Sequence, residues 1–360
     1  MSQGVRARVR DDIVRLAHRD LDLPQLTEAV VRRLTTAVPF EGACLLTVDP
    51  ATLLPTEEVV VDALPASVRP RMTEIELREP DVNKFTHLAH STIPAASLSA
   101  VTAGDLDLSR RHRELRRPCG FADELRAVLA SPTGCWGALT LLRENGRPSF
   151  TTPDVKFIAS LAPVLADALR RVTLSTRTAT PDRDPSETGF LVVAPDDSVE
   201  IINDDAQRWI DELTVTDAAR LPIAVSAVIA QTRQVSANSA TLATARVHTR
   251  SGIWLVVRGS VLDNDRVGVL LEAARPVELA TVVADTYVLT DRERTIAALV
   301  AQGHTTNDIA DRLHLSAYTV QDHLKAIFDK TGTGSRGELV ARLFLDHHIP
   351  QLQAKPSKAG

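Results

Sequence analysis

Residues 287–350 carry the most restrictive pattern in the chain, because short apolar runs at helical spacing alternate there with residues that begin and end helices. Thr290 and Glu293 have the spacing of a capping box, in which the threonine hydroxyl accepts the amide of Glu293 and the carboxylate returns the bond. The other expected helix boundaries are Gly303, Thr305 or Thr306, the tight connection His314-Leu315, and Ser316. The pattern predicts three short helices and a fourth after Gly332 and Gly334.

The apolar residues of the second and third helices repeat at intervals of three and four, so we expect them to form a common core. These core residues are Ile309, Leu313, Val320, Leu324 and Ile327. Three short helices with a tight turn before the third define a helix-turn-helix. The opposite face of the third helix then presents mostly polar side chains to solvent.

Four segments of this block are typical of one known family: LTDRE, ALVAQG, IADRLHLSAYTVQDHLKAIFDKTG and SRGELV. They make the block similar to the LuxR-type DNA-binding domain from Leu289 to Val340. The resemblance implies an all-α, four-helix module that binds double-stranded DNA. It places Gln321, Asp322 and Lys325 at base edges in the major groove, where Gln suits adenine, Lys suits guanine and Asp suits cytosine. It implies contacts to the DNA backbone from Ser316, Tyr318, Thr319, Lys330 and Arg336, and a dimer contact through Leu339 and Leu343.

The block departs from the family pattern at two positions. Gln321 stands where Lys or Arg is frequent, and Asn307 stands where a phosphate-binding Lys is common. Acidic residues slightly outnumber basic ones between Asp291 and Asp346. We therefore expect a shallow salt dependence of DNA binding and a need for two copies on one duplex.

The rest of the chain divides at a polar linker, residues 173–188, which carries two prolines and no regular periodicity. A second joint is predicted near Pro276. The predicted organisation is a first domain at 1–172, the linker at 173–188, a second domain at 189–276, the DNA-binding domain at 287–350 and a flexible tail at 351–360.

In the first domain, two helical segments precede several strand-like runs, and a long apolar helix closes the block, which predicts an α+β fold with an antiparallel sheet. The predicted helices are 12–19, 24–38 and 152–171, and the predicted strands are 43–48, 58–61, 124–130 and 135–142. The block closes with a hairpin that has Gly137 in its second strand, then Pro148–Thr151, then the long helix. This ending resembles the end of a GAF domain. The resemblance implies a sensor or dimerisation domain.

The second domain has the predicted order β-β-α-α-β-β-β, with Asn203 leading into its first helix. This order resembles that of a PAS domain, which is also α+β. Both resemblances imply signal sensing.

Composition and motifs limit the other possibilities. The formal net charge is −5, so DNA affinity must come from a local surface. The N-terminus is charged throughout and no apolar stretch is long enough to span a bilayer, so we expect a cytoplasmic protein without a membrane partner. The sequence has no phosphate-binding loop, nucleophile elbow or zinc-protease motif, and we expect neither an enzyme nor a cofactor.

Three minor features are interpreted conservatively. His87 and His90 have helical metal-ligand spacing but no accompanying cluster, so no metal is expected. The charged run Arg110–Arg117 is expected to be a solvated surface. Cys44, Cys119 and Cys135 are expected to be free thiols.

These observations predict a one-component bacterial transcription regulator, a homodimer on an inverted-repeat operator. Its first two domains are expected to sense a signal, such as an unidentified small ligand, to dimerise, or to do both. In the alternative, those domains have filled cores and serve only in dimerisation or in contacts with RNA polymerase. An apolar cavity of several hundred Å³ would favour sensing.

Overall fold

The computed structural model describes residues 3–132, 134–174, 187–213, 221–234, 242–275, 278, 289–331 and 333–340. Most of the predicted linker, Gly332, Leu343 and the tail 351–360 lie outside the described residues.

The first α+β domain is built on a five-stranded antiparallel sheet with the order β2-β1-β5-β4-β3. Its strands are β1 (Gly42–Val48), β2 (Pro55–Val61), β3 (Ala95–Ser97), β4 (Phe121–Ser131) and β5 (Gly134–Glu144). Its helices are α1 (Gln3–Ala17), α2 (Leu23–Leu34), α3 (Arg69–Leu77), α4 (Phe85–Ala89), α5 (Leu98–Val101) and α6 (Thr152–Leu174). The predicted α+β fold with an antiparallel sheet is confirmed.

Helices α1, α2 and α6 cover one face of this sheet with an apolar core that includes Leu125, Leu139 and Leu161. The start of α2 illustrates how local sequence sets the helices: the Asp22 side chain accepts from Gln25 N at 2.8 Å, and Gln25 Oε1 accepts from Asp22 N at 3.2 Å. The other face is covered by residues 66–119, including α3 and α4, to which the sequence patterns assigned no element.

The second α+β domain has the predicted element order, and its sheet has the strand order β7-β6-β10-β9-β8. Its elements are β6 (Gly189–Val193), β7 (Val199–Ile202), α7 (Asp204–Leu213), α8 (Ile223–Gln234), β8 (Ala243–His248), β9 (Trp254–Val261) and β10 (Val267–Ala273). Asn203 caps α7 as its position suggested, since its Oδ1 accepts from Ala206 N and from Phe190 N, both at 2.9 Å. Numbered within each domain, the two sheets share one strand order.

The two α+β domains contact each other along α8 and along the sheet edges. Helix α8 packs on its own sheet and also against α3 and β2 of the first domain. Edge strand β2 lies beside edge strand β8, where Asp49 at the end of β1 forms an ion pair with Arg246.

The C-terminal module contains α9 (Asp291–Ala301), α10 (Thr306–Leu313), α11 (Ala317–Thr331) and α12 (Arg336–Val340). The predicted capping box is confirmed: Glu293 N donates to Thr290 Oγ1 at 3.3 Å, and Thr290 N donates to Glu293 Oε2 at 2.6 Å. Thr305 rather than Thr306 caps α10, again by a capping box, here with Asp308. Among the described helices, none combines the length and the apolar character that a membrane span requires.

Candidate nucleic-acid interface

Helix α11 is held in the module by one apolar face. Val320 and Ile327 are fully buried and Leu324 is nearly so, and the helix packs against α9 and α10 through this face. Ile309 of α10 is also fully buried, whereas Leu313 is half-buried at the end of α10. The backbone turns sharply after Leu313, because His314 adopts a left-handed conformation with φ of 53°. This turn separates α10 from α11 and sets the direction in which α11 leaves the core.

The opposite face of α11 is exposed. The Tyr318 side chain is 73% exposed, and Gln321, Asp322 and Lys325 are exposed as well. Positions 318, 321, 322 and 325 follow helical spacing, so these four side chains share one side of the helix. A helix of 15 residues is about 22 Å long, and the B-DNA major groove is wide enough to admit one. The exposed face therefore has the shape and the polar groups needed to reach base edges.

Ser316 and Thr319 lie at the N-terminus of α11. Ser316 Oγ accepts from Thr319 N at 3.0 Å, and the two hydroxyls are 2.8 Å apart. Unpaired backbone N–H groups and the helix dipole make such an end attractive to phosphate.

Lys330, predicted to contact DNA backbone, is engaged within the module. Its Nζ donates to Glu293 Oε2 at 2.6 Å, although Glu293 is 37 positions away in the chain. The Glu293 side chain is only 6% exposed. Burial by itself would raise the pKa of this carboxyl, but the hydrogen bonds from Lys330 and Thr290 lower it below its usual value. Lys330 thus ties the end of α11 to the start of α9.

Arg336 has a similar internal role. Its guanidinium donates to the carbonyl of His304 at 2.9 Å and to Thr306 Oγ1 at 3.1 Å. These bonds join the start of α12 to the turn between α9 and α10. Sequence spacing does not show such contacts, because the partners lie about thirty positions apart.

Leu339, predicted as a dimer contact, requires a correction. Its side chain is 0% exposed, and it belongs to the core of its own module, where α12 packs on α9. A fully buried side chain is not on a surface that a second copy can reach. The second predicted dimer residue, Leu343, lies outside the described residues.

The charged run Arg110–Arg117 also requires a correction, since only part of it is solvated: Glu114 and Arg117 are exposed, but other residues of the run are not. Arg111, His112 and Arg116 are buried within residues 66–119, which cover the second face of the first sheet. Arg111 Nη2 and Arg116 Nε donate to the two carboxylate oxygens of buried Glu124 at 2.8 and 2.9 Å. Burial would raise the pKa of Glu124, but the surrounding arginines hold it well below the usual range.

This ion cluster extends further across the same face of the sheet. Arg126 Nη1 donates to Glu76 Oε2 at 2.8 Å and stacks 3.5 Å from the centre of the Phe85 ring. Arg111 also reaches Asp81, at 3.1 Å. Charged side chains in mutual contact therefore fill this part of the first domain.

A cleft of about 870 Å³ lies between the two α+β domains. Ile202 and Ile229 contribute apolar surface from the second domain, while the Glu58–Arg69 pair and Arg233 contribute charge. The cleft thus has the volume of a small-molecule site, but its lining mixes apolar and charged side chains. Within the described part of the chain, no three His, Cys, Asp or Glu side chains form a group that could hold a metal.

Residues 287–343 match the family model described as bacterial regulatory proteins, luxR family. The spore germination protein GerE of Bacillus subtilis is 38% identical over 56 residues, which cover 16% of this chain and 76% of GerE. A putative HTH-type transcriptional regulator in the exeN 3' region of Aeromonas salmonicida is 42% identical over 79 residues. That match covers 22% of this chain and 39% of the relative, so the chain spans less than half of the Aeromonas protein.

Solved structures that resemble this one include GAF domains. The GAF domain/HD domain protein from Geobacter sulfurreducens aligns with 43% of this chain and 97% of its own, at 18% identity and a TM-score of 0.31. At this TM-score the likeness assigns no ligand.

Proposed function

The chain belongs to the luxR family of bacterial regulatory proteins, and we propose that it is a one-component transcription regulator that binds operator DNA through α11. The observation that carries this proposal is the division of α11 into a buried face at Val320, Leu324 and Ile327 and an exposed polar face. A helix fixed in this way can enter the major groove without rearrangement of the module.

We assign base recognition to Gln321, Asp322 and Lys325, whose side chains are exposed on one side of α11. Ser316, Tyr318 and Thr319, at the N-terminal end of the same helix, contact phosphates and fix the register on DNA. Lys330 and Arg336 act inside the module and hold α11 and α12 in position.

The experiment begins by selecting an operator from a random DNA library with the full chain. Lys325→Ala should then weaken binding to this operator by about 1–3 kcal/mol and leave binding to random DNA nearly unchanged. Arg147→Ala, which removes an exposed cation from the segment between β5 and α6 of the first domain, is the matched control and should change neither. Equal losses on the operator and on random DNA would show that Lys325 contacts phosphate alone.

We further propose that the protein acts as a homodimer on an inverted repeat with half-sites about one helical turn apart. A module with no excess of basic residues binds weakly alone, and two linked modules gain affinity through effective concentration. Because Leu339 is buried, we assign the main dimer contact to the long helices of the first domain, α1 and α6. Footprinting combined with light scattering tests this, and a monomeric complex that protects one half-site would refute it.

The two α+β domains are assigned as GAF-like and PAS-like modules that control the DNA-binding helices. Support comes from their antiparallel sheets of five strands in the same order. For the first domain, the ion cluster around Glu124 favours the alternative in which it binds no small molecule and serves in dimerisation or in contacts with RNA polymerase. The test compares the unfolding temperature of this domain with and without the small-molecule fraction of a cell extract. A higher unfolding temperature with the fraction would contradict the assignment.

A further inference from the structure

Arg246 of edge strand β8 lies where the first domain meets the second. Asp49, at the end of β1 in the first domain, accepts two hydrogen bonds at Oδ2, from Arg246 N and from Arg246 Nη1, both at 2.9 Å. The other oxygen, Oδ1, accepts from Ala51 N at 2.9 Å, and this bond holds the Asp49 carboxylate in place. The Asp49 side chain is fully buried. A buried carboxylate of this kind needs its cationic partner, because loss of one member of a buried ion pair is strongly unfavourable.

The same guanidinium also contacts the chain beyond the second domain. Arg246 Nε donates to the backbone carbonyl of Glu278 at 2.7 Å. Along the chain, Glu278 lies between β10 and α9, the first helix of the DNA-binding module. Its own carboxylate is held by Arg258 of β9 and by Arg275, whose backbone N donates to Oε2 at 2.7 Å. Glu278 is thus held by side chains of the second domain, and Arg246 is one of them.

The geometry of arginine makes these contacts interdependent. The guanidinium is planar and rigid, so the directions in which Nε and Nη1 donate are fixed relative to each other. A displacement of Asp49 therefore turns the group that supports Glu278. A lysine at this position has one ammonium and lacks the rigid planar fork that serves both acceptors.

We propose that Arg246 is a positioning residue for DNA binding, which transmits the position of the first domain to the chain leading into α9. This inference rests on the proposed function. Anchoring Glu278 fixes the point from which the chain continues toward the DNA-binding module. Loosening the anchor therefore weakens operator binding, because more freedom is lost on binding.

The test uses the full chain and an operator selected by the wild-type protein from random DNA. Asp49→Asn and Arg246→Lys break the same link from its two sides. Each should weaken operator binding at least about fivefold, a shift typical of coupling between distant sites. The double variant should bind no more weakly than the single ones, since the link is already broken. The salt dependence should equal that of the wild type, because neither residue contacts phosphate.

Arg233→Gln is the matched control. Arg233 is also a largely buried arginine of the second domain, but its hydrogen bonds go to Asp197 and Ala194 of the same domain. This variant should keep wild-type operator affinity. Thermal unfolding of each variant establishes that binding is measured on folded protein. If Asp49→Asn fails to fold, operator affinity is measured instead for Arg246→Lys and Arg246→Gln, which break the same link in the second domain. Both should lose operator affinity.

Three results would overturn the inference. These are lower unfolding temperatures with unchanged operator affinity, additive losses in the double variant, and an Arg233→Gln loss as large as that of Arg246→Lys. Failure of the proposed function gives a different result, because the wild-type chain would then select no DNA sequence at all.

Discussion

Replacement of Lys330 by methionine separates a positioning role from a phosphate contact. The substitution keeps an unbranched side chain but removes the ammonium that donates to Glu293 Oε2 at 2.6 Å. A hydrogen bond to a charged group contributes about 1.5–3 kcal/mol. Because the Lys330 side chain is 35% exposed, solvent screening lowers this contribution, and we expect a loss of about 1–2 kcal/mol in the stability of the module.

The measurement combines two assays on the full chain. Urea unfolding followed by hydrogen exchange in α9 and α11 gives the stability of the module, and operator binding at several salt concentrations gives the salt slope. Each phosphate contact adds about 0.9 to this slope. For Lys330→Met we expect lower stability and a wild-type slope.

Glu293→Gln is the matched control for the same ion pair. It should destabilise the module similarly, and Lys330→Met should add little to it, because both changes remove one interaction. Wild-type stability together with a slope reduced by about 0.9 would refute our reasoning and make Lys330 a phosphate ligand.

Two further substitutions test other parts of the structure. Val320→Asp places an unpaired charge at a fully buried position of α11 and should cost more than about 4 kcal/mol; a folded, DNA-binding variant by circular dichroism and gel shift would show that the helical register is wrong. Glu124→Gln should destabilise the first domain at pH 7. The low pKa of Glu124 means that its contribution is present above the usual value of 4.5 and is lost as pH falls. The stability difference between wild type and variant, measured by urea unfolding, should therefore shrink in acid; a difference that grows would contradict the ion cluster.

Local patterns predicted the C-terminal module well, because the interactions that form its helices span few residues. The Thr290–Glu293 capping box and the cap at Ser316 join positions three apart, and side-chain types are enough to identify them. The buried face of α11 followed from helical periodicity in the same way.

Contacts between distant positions could not be predicted by such patterns. The Lys330–Glu293 pair and the bonds of Arg336 depend on how the helices pack, and nothing in their spacing distinguishes them from surface cations. The run Arg110–Arg117 had the composition of a solvated segment, yet Arg111 within it is buried, because Glu124 and Asp81 supply its counter-charges from elsewhere in the chain. Leu339 was misassigned because an apolar stripe has the same appearance whether it faces its own core or a second copy.

The contact between Asp49 and Arg246 has a consequence for the solubility of the separated domains. Strand β8 is the last strand of its sheet, and in the full chain the first domain occupies the backbone N–H of Arg246 on that edge. Free strand edges with available hydrogen-bonding groups recruit strands from other molecules. A fragment that begins after the linker would expose this edge, so the first domain also protects the second against intermolecular strand addition.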